Sequence, residues 1–484
     1  MKKFFICLLI LISFISTTTT IFYWVHYKIS PIEIIFEDNW MQRLWTWADD
    51  NGIPPAQYTA DGKYFEGLPR RKKELLELKL LNLSRNNLKD LSPEIGNLKN
   101  LEVLSINGNL LTNLPSEIAN LANLKYLFAR NNQIAYLPTE IEKLISLKTL
   151  DVSYNNISAL PKETGKLVNL EKLVIESNHI AQLPDEIGLL INLKEFNINS
   201  NKLINMPKGI GGLKNLEKLN INRNLLTDLP SEIGGLINLK DFTAEDGKLV
   251  TLPKEIGKLK SLAYLNLCAN KLKELPDQIG NLENLRELNI VKNELTFLPE
   301  TIGNLKNLNE LHAGQNRLIS IPNTIGGLQK LAKLTLIKNN ITNLPLEIGQ
   351  LVNLKSLYIS ENSLIELPSE IGELKRLEYL HFTENQITVL PKEIGGLTSL
   401  VSLRFDKNKV KILPSEIGQL ANLGELTLNN NEVAFLPKEM GNLTNLTHLY
   451  VNNNKLTSLP DEIKELKKLK YFHIEGNNIS KTAR

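Results

Sequence analysis

The sequence predicts an α/β solenoid, in which one short unit of strand and turn is repeated about eighteen times and stacked on itself. Two observations support this prediction. An asparagine recurs every 23 residues from Asn86 to Asn477, and aliphatic residues keep the same positions around it in each repeat. Of the eighteen positions in this register, only Gly247 is not asparagine. So strict a period is the sequence signature of a repeat architecture.

The repeat at residues 101–123 shows why each element is expected. Leu104 and Ile106 are separated by a polar residue, an alternation that is typical of a half-buried strand. Pro115 and a glutamate two residues later begin the return segment, which ends with glycine in most repeats. Proline at the start and glycine at the end mark a short helical turn. The segment is too brief for a long helix, so we expect one turn of 3₁₀ or α type.

The recurring asparagine is expected to satisfy buried main-chain groups. The backbone turns inward where the strand ends, which leaves N–H and C=O groups away from water and outside the strand ladder. An amide side chain carries donors and an acceptor, so one asparagine per repeat can bind these groups. We name these residues, with Gly247 in their register, the asparagine spine. We expect it to have a structural role; contact with a ligand is the alternative.

The combined pattern, Leu-x-x-Leu-x-Leu-x-x-Asn-x-Leu-x-x-Leu-Pro-x-Glu-Ile-Gly-x-Leu, resembles the leucine-rich repeat family. It is most similar to the 23-residue subtype found in exported bacterial proteins and in Ras-binding scaffold proteins, and it extends over residues 78–484. The resemblance implies a curved arc with a parallel sheet on its concave side and short turns on its convex side. It also implies that ligands bind on the concave side, without indicating which ligand.

The first thirty residues predict export from the cytoplasm. Lys2 and Lys3 precede an apolar run, and residues 4–27 contain no Asp, Glu, Lys or Arg. This run is long enough to span a bilayer, and no clear Ala-x-Ala cleavage site follows it. A cleaved signal and an uncleaved anchor therefore both remain open. In either case we expect a secreted, surface or anchored protein that meets a membrane only through this segment.

Residues 31–77 are expected to form an N-terminal cap. They contain three of the four tryptophans, Trp40, Trp45 and Trp47, on a segment that predicts a helix from Asn39 to Asp50. Such a helix can cover the apolar end of the first repeat, while a tryptophan-rich binding surface is the alternative. The predicted division is therefore an export segment at 1–30, a cap at 31–77 and repeats at 78–484.

Composition argues against several classes of function. The 56 basic and 53 acidic residues give a net charge of only +3, so nucleic-acid binding is not indicated. Two cysteines are too few for a disulfide framework or a cysteine-based zinc site. His448 and His473 could bind a metal, but no spaced carboxylate partner is evident. We therefore expect a binding protein and not an enzyme, with no catalytic residue, cofactor or metal.

The informative residues lie two, four and six places before each spine residue, where side chains are expected to point off the concave sheet. In the middle of the chain they are mostly Asn, Lys, Asp and Glu, and in the last third they become Tyr, His and Arg. Tyr and Arg dominate binding hot spots, although aromatic residues also favour strands in general. We predict that a protein partner binds eight residues, which we name the C-terminal patch: Tyr358, Tyr379, His381, Arg404, His448, Tyr450, Tyr471 and His473.

Two properties of the C-terminal patch follow from its positions and chemistry. Its residues four places before the spine should form a broken row across the sheet, beside a second line of residues six places before it. Its histidines should change charge, and with it the affinity, between about pH 5 and 7. The alternative function is a structural envelope component or a self-associating scaffold without a specific ligand. The oligomeric state stays open.

Overall fold

A computed structural model describes residues 40–60 and 64–479 of the chain. The predicted export segment and residues 31–39 of the predicted cap lie outside this range. Over the described residues, no helix has both the length and the apolar composition needed to cross a membrane. The chain divides after Leu216 into two compact units.

The first unit begins with helix α1 (Trp40–Asp50), the antiparallel strands β1 (Gln57–Tyr58) and β2 (Tyr64–Glu66), and helix α2 (Lys72–Leu76). Six parallel strands follow, one in each repeat: β3 (Leu80–Asn82), β4 (Val103–Ser105), β5 (Tyr126–Phe128), β6 (Thr149–Asp151), β7 (Lys172–Val174) and β8 (Glu195–Asn197). Their return segments are 3₁₀ helices at Pro93–Asn97, Ser116–Asn120, Thr139–Lys143, Lys162–Lys166, Asp185–Leu189 and Lys208–Gly212.

Helix α1 packs on the first repeat through its tryptophans. Trp45 is fully buried, and its Nε1 donates a hydrogen bond of 2.8 Å to the carbonyl oxygen of Pro69. The Nε1 of Trp47 donates at 3.1 Å to a carboxylate oxygen of Asp90, which belongs to the first repeat. These contacts are those that a cap requires, while the domain boundary at residue 77 stays a prediction.

The second unit contains twelve parallel strands, again one in each repeat: β9 (Lys218–Asn220), β10 (Asp241–Thr243), β11 (Tyr264–Asn266), β12 (Glu287–Asn289), β13 (Glu310–His312), β14 (Lys333–Thr335), β15 (Ser356–Tyr358), β16 (Tyr379–His381), β17 (Ser402–Arg404), β18 (Glu425–Thr427), β19 (His448–Tyr450) and β20 (Tyr471–His473). Its 3₁₀ helices lie at Ser231–Gly235, Lys254–Lys258, Asp277–Asn281, Glu300–Asn304, Asn323–Gly327, Leu346–Gln350, Ser369–Glu373, Lys392–Gly396, Ser415–Gln419, Lys438–Asn442 and Asp461–Glu465. The predicted solenoid of strand and short turn is confirmed, and every described return segment is 3₁₀ and not α.

The glycine of the return segment has a different role from the one its position in the sequence indicated. Gly303 is followed by Asn304 within the same 3₁₀ helix, so the glycine does not end the turn. A Cβ atom at this position would lie only 2.1 Å from the carbonyl oxygen of Thr324 in the next repeat. Glycine at this position therefore lets the turns of successive repeats approach each other closely, while Ala119 shows that another residue can stand there in one of the other repeats.

The asparagine spine binds main-chain groups, as predicted. The Nδ2 of Asn316 donates to the carbonyl oxygens of Ala313, at 3.2 Å, and of Ile290 in the preceding repeat, at 2.9 Å. Its Oδ1 accepts from the N–H of Leu295, also in the preceding repeat, at 3.1 Å. Asn339 and Asn385 make the same set of bonds. The spine thus joins each repeat to the one before it.

The residue immediately before each spine position adopts the left-handed conformation, a feature that the sequence did not predict. Its φ is 55° at Tyr154, 55° at Ala269 and 52° at Lys407, and the other repeats are alike. Glycine, which adopts this conformation freely, fills the position only at Gly108 and Gly476. Each repeat thus makes its sharp turn with whatever residue the sequence places there.

Candidate functional site

The C-terminal patch lies on six neighbouring strands of the second unit, β15 to β20. Residues four places before the spine pair in register across these strands in the order Tyr358, His381, Arg404, Thr427, Tyr450 and His473. The predicted row is therefore formed and is broken once, at Thr427. Tyr379, His448 and Tyr471 stand six places before the spine on the neighbouring line, at the beginnings of β16, β19 and β20.

The first half of the patch is an aromatic cluster around His381. The ring centroid of His381 lies 5.1 Å from that of Tyr358 and 6.4 Å from that of Tyr379, both in edge-to-face geometry. Burial and then the positive charge of Arg404 lower the pKa of His381 from its usual 6.5 to about 4. His381 is therefore neutral between pH 5 and 7, and the prediction that the patch histidines change charge in this range is wrong for this residue.

A polar network holds His381 and Arg404 in place. The Nε2 of His381 lies 3.0 Å from the Oγ of Ser402, whose hydroxyl donates at 2.8 Å to Oε2 of Glu425. Arg404 donates to the same oxygen from Nε at 3.0 Å and from Nη2 at 2.9 Å. Burial alone would raise the pKa of Glu425, but the hydrogen bonds from Ser402 and Arg404 lower it. The carboxylate thus stays ionised and fixes both neighbours.

The direction of these hydrogen bonds argues against serine chemistry. A nucleophilic serine gives its proton to a histidine base. Here the Ser402 hydroxyl gives its single proton to Glu425, so it accepts its other hydrogen bond from His381 Nε2–H. The network therefore positions side chains for contact and is not arranged for acyl transfer.

The second half of the patch consists of stacked rings on β19 and β20. His448 and Tyr471 stack with centroids 4.6 Å apart and an interplanar angle of 20°, and Tyr450 lies 5.0 Å from His473. The hydroxyl of Thr447 donates to the carbonyl oxygen of Gly424 at 2.8 Å, so it accepts from Nδ1–H of His448 at the same distance. The tautomer of His448 that donates from Nδ1 has Nε2 as a hydrogen-bond acceptor.

Sequence reasoning missed the residues that support the patch. Ser402 and Glu425 occupy the position six places before the spine, between Tyr379 and His448 on the same line of the sheet. Asp406 accepts hydrogen bonds from Thr427 Oγ1 at 2.5 Å and from the side chain of Asn429 at 2.6 Å. Their shared register was the available signal, because residues at one register position on adjacent strands must be neighbours.

Metal binding by the patch histidines has no geometric support. In the part of the chain that the structure describes, no group of three or more His, Cys, Asp or Glu side chains is placed to hold a metal ion. His448 stacks on Tyr471, and the ring centroid of Tyr450 lies 6.1 Å from that of His448 and 5.0 Å from that of His473. The two histidines therefore contribute rings to one aromatic surface.

Comparison with known families assigns the fold. A model described as a leucine-rich repeat region matches residues 117–202, 250–359 and 339–435. A second model, described as a leucine rich repeat, matches residues 76–134 and 421–479. Because these matches include more than half of the chain, the protein belongs to the leucine-rich repeat family. Solenoids of this family are typically scaffolds for protein binding and not enzymes.

Solved structures extend this assignment. A leucine-rich repeat protein of Leptospira interrogans is 39% identical, with a TM-score of 0.64, and the match covers 85% of this chain and 94% of that one. The ectodomain of the Arabidopsis receptor kinase HAESA, in complex with an N-terminally extended IDA peptide hormone, is 28% identical, with a TM-score of 0.62 and coverage of 83% and 70%. The functional domain of InlJ from Listeria monocytogenes is 25% identical, with a TM-score of 0.57 and coverage of 71% and 70%. No curated protein matches the chain. The predicted similarity to bacterial leucine-rich repeat proteins is confirmed.

Proposed function

We propose that this protein acts outside the cytoplasm as a binding module, and that its C-terminal patch recognises a protein partner. The observation that carries this proposal is the grouping of tyrosine, histidine and arginine side chains on β15 to β17 and on β19 to β20, on either side of Glu425 and Thr427 of β18. Residues of these types in exposed sheet positions supply large, directional contacts. The peptide hormone bound to the HAESA ectodomain shows that a similar solenoid can bind a polypeptide.

The side chains of the patch are ordered before any partner arrives. Tyr379 is 37% exposed and Tyr471 is 50% exposed, yet each packs against a histidine ring. Arg404 is held by two hydrogen bonds to Glu425. A surface with few freely rotating side chains loses little conformational entropy on binding, which favours affinity. The patch is therefore suited to a partner that presents apolar surface and hydrogen-bond acceptors.

The binding proposal is tested by capture and substitution. The full chain is immobilised and exposed to extracellular protein fractions, and the dissociation constant of any retained protein is measured after purification. Alanine at Tyr379, Arg404 or Tyr471 should each weaken that complex by at least about 1 kcal/mol. Asn220→Ala, at a half-buried strand position of β9, is the control and should weaken it less.

Two results would contradict the binding proposal. One is a complex that survives loss of all three side chains together. The other is pure protein that self-associates in size-exclusion chromatography while retaining no partner, which would favour the alternative of a self-associating scaffold.

Export rests on the basic and then apolar N-terminal segment, and we propose with it the division into export segment, cap and repeats. Cell fractionation with N-terminal sequencing tests it. The protein should be found outside the cytoplasm, either starting after about residue 16 or retaining its apolar segment as an anchor. Soluble cytoplasmic protein with an intact Met1 would rule out the export proposal.

A further inference from the structure

A main-chain N–H near the end of each strand needs an acceptor from a side chain. This N–H lies two places before the spine residue, outside the strand ladder. In some repeats an Asn or Asp two residues earlier accepts its hydrogen bond, as Asn289 Oδ1 accepts from Val291 N–H at 3.1 Å. In others the acceptor is an Asn or Asp of the preceding repeat, as Asn429 Oδ1 accepts from Asn452 N–H at 2.8 Å. Both kinds of side chain lie at strand-face positions, so this N–H can be reached from that face.

Five consecutive repeats of the second unit lack both kinds of acceptor. We name their N–H groups the donor row; they belong to Gly314, Ile337, Ser360, Thr383 and Asp406. Over the described residues, none of these five N–H groups has a hydrogen-bond acceptor within the protein. The cause lies in the sequence. The residues two places before these five are His312, Thr335, Tyr358, His381 and Arg404, none of which is Asn or Asp. In the repeat that precedes each of the five, the residue two places before the spine is not Asn or Asp either.

The donor row has a fixed geometry because the carbonyl groups in the same peptide planes are bound by the asparagine spine. The carbonyl oxygen of Leu336, in the peptide plane of Ile337 N–H, accepts from Asn339 Nδ2 at 3.0 Å and from Asn362 Nδ2 at 2.9 Å. The carbonyl oxygen of Ile359, in the plane of Ser360 N–H, likewise accepts from Asn362 Nδ2 at 3.0 Å. The peptide planes therefore cannot rotate to find other acceptors. One donor follows each of the strands β13 to β17, so the donors are spaced by about 4.8 Å.

The surroundings indicate an uncharged ligand that is rich in acceptors. A buried N–H without an acceptor costs about 1–3 kcal/mol, and Gly314 is buried while its four counterparts are half-buried. The hydroxyl of Thr335 beside the row is also buried without a partner. The strand positions nearest the middle of the row, Ser356 and Tyr358, are uncharged. The charged side chains nearer its ends are paired with each other, Lys333 with Glu310 and Arg404 with Glu425. Acceptor oxygens from a ligand would complete the half-buried N–H groups of the row.

The spacing of the donors distinguishes between two kinds of chain. Carbonyl groups on one edge of an extended peptide recur every two residues, or about 6.6 Å, so they lose register with the donor row after two strands. A sugar ring is about as long as one strand spacing and carries several oxygen acceptors. The rings of Tyr358 and Tyr379, on β15 and β16, offer flat apolar faces on which sugar rings can pack.

We propose that the donor row binds a neutral polysaccharide that runs across strands β13 to β17, with its oxygens on the five N–H groups. This site does not depend on the proposed protein partner. Tyr471→Ala, on β20, removes part of the C-terminal patch but no part of the donor row, so it should weaken protein binding and leave sugar binding unchanged.

The test fills the donor row with acceptors copied from other repeats. Thr335→Asn places an acceptor for Ile337 N–H in the manner of Asn289. Ile337→Asn and Ser360→Asn do the same for the next two repeats in the manner of Asn429. The full chain and the triple variant are titrated by calorimetry with chitohexaose, cellohexaose and maltohexaose. Asn289→Thr, which removes an acceptor outside the row, is the matched control.

At least one of the three oligosaccharides should bind the original chain. The triple variant should bind it at least about tenfold more weakly, a change of about 1.4 kcal/mol, while its unfolding temperature stays the same or rises. The control should change affinity by less than about twofold. The proposal is overturned if none of the three sugars binds, or if the triple variant binds as well as the original chain. Hexa-alanine is titrated in the same way as a polypeptide probe. If it binds the original chain but not the triple variant, and neither protein binds a sugar, the row binds polypeptide and the polysaccharide proposal is overturned.

Discussion

Each repeat of the second unit has a buried turn and an exposed strand face, and these two regions obey different rules. The turn residues Asn316 and Gly303 have equivalents in almost every repeat, because each meets the same main-chain atoms of a neighbouring repeat. On the face, one register position holds Asn289, His312, Thr335 and Tyr358 in successive repeats. Contact with the main chain of the adjacent repeat therefore keeps the turn residues the same from repeat to repeat. The face, which meets only solvent or a ligand, is free to specialise.

The largest effect is expected from removing a spine amide. Asn316→Ala removes the side-chain partner of the Leu295 N–H and of three carbonyl oxygens, so the free energy of unfolding should fall by about 3 kcal/mol. Urea unfolding measures this. Asn340→Ala, at an exposed position beside the spine, is the control and should stay within about 0.5 kcal/mol. Equal losses from the two variants would remove the distinction between turn and face.

A smaller loss is expected from adding a methyl group to the turn. In Gly303→Ala the new Cβ meets the Thr324 carbonyl oxygen, so the repeats must move apart, at a cost of about 2 kcal/mol. Binding at the C-terminal patch should be unchanged in the same protein. Ala119 occupies the equivalent position in its own 3₁₀ helix, so Ala119→Gly is the matched control, with little effect on thermal unfolding. A stable Gly303→Ala variant would show that the close approach of the turns is not restrictive.

The repeat at Gly247 differs from the others because its spine position carries no side-chain amide. Elsewhere a spine amide accepts from the preceding repeat, as Asn270 Oδ1 does from Leu249 N–H at 3.0 Å, but Gly247 has no side chain to offer Leu226. Lys271 N–H also donates to Leu249 O at 2.9 Å, whereas no equivalent bond joins Lys248 to Leu226 among the described residues.

Gly247→Asn should therefore raise the free energy of unfolding by about 1 kcal/mol. The new Cβ would lie 2.7 Å from Asn270 Oδ1, so the Asn270 amide must shift slightly to accommodate it. Hydrogen exchange at Leu226 and Lys248 should be faster than at Leu249 and Lys271, and should slow in the variant. Uniform exchange in the original protein would contradict this account.

The effect that should be smallest at neutral pH concerns the face, and it grows as pH falls. The folded-state pKa of His381 is about 4, below the ordinary 6.5, so the unfolded chain binds a proton that the folded chain does not as pH falls between these values. Stability contributed by neutral His381 is therefore present above pH 6.5 and is lost as pH falls towards about 4. His381→Gln should flatten the dependence of the urea midpoint on pH over this interval. Parallel profiles for the two proteins would show that His381 is not the group responsible.

The sequence predicted the turns better than the face because the turn chemistry is repeated and the face chemistry is not. The 23-residue period located the strands, the spine and the 3₁₀ helices. It did not reveal the left-handed residue before the spine, because Tyr154, Ala269 and Lys407 share no property that marks such a turn. The lowered pKa of His381 depends on burial and on Arg404 in the next repeat, neither of which a register alone can give.

The donor row could be predicted from the sequence only in part. The absence of Asn and Asp at its acceptor positions is visible in the sequence. It becomes informative only once the structure shows that those side chains normally accept from a main-chain N–H, as Asn289 and Asn429 do. A pattern of missing residues predicts a site only when the function of the residues that are normally present is known.

The left-handed residue before each spine position has a consequence for the tolerance of the chain to mutation. A residue other than glycine is destabilised by roughly 1–2 kcal/mol in this conformation. Glycine occurs at this position only at Gly108 and Gly476. Effects at well-separated sites add, so replacement by glycine in alternate repeats can raise stability in independent steps without altering the strand face. A lineage that gains a destabilising residue on its recognition surface thus has many separate positions at which a single substitution can restore the folded state. Such a supply of compensating changes lets the surface diversify quickly while the scaffold persists.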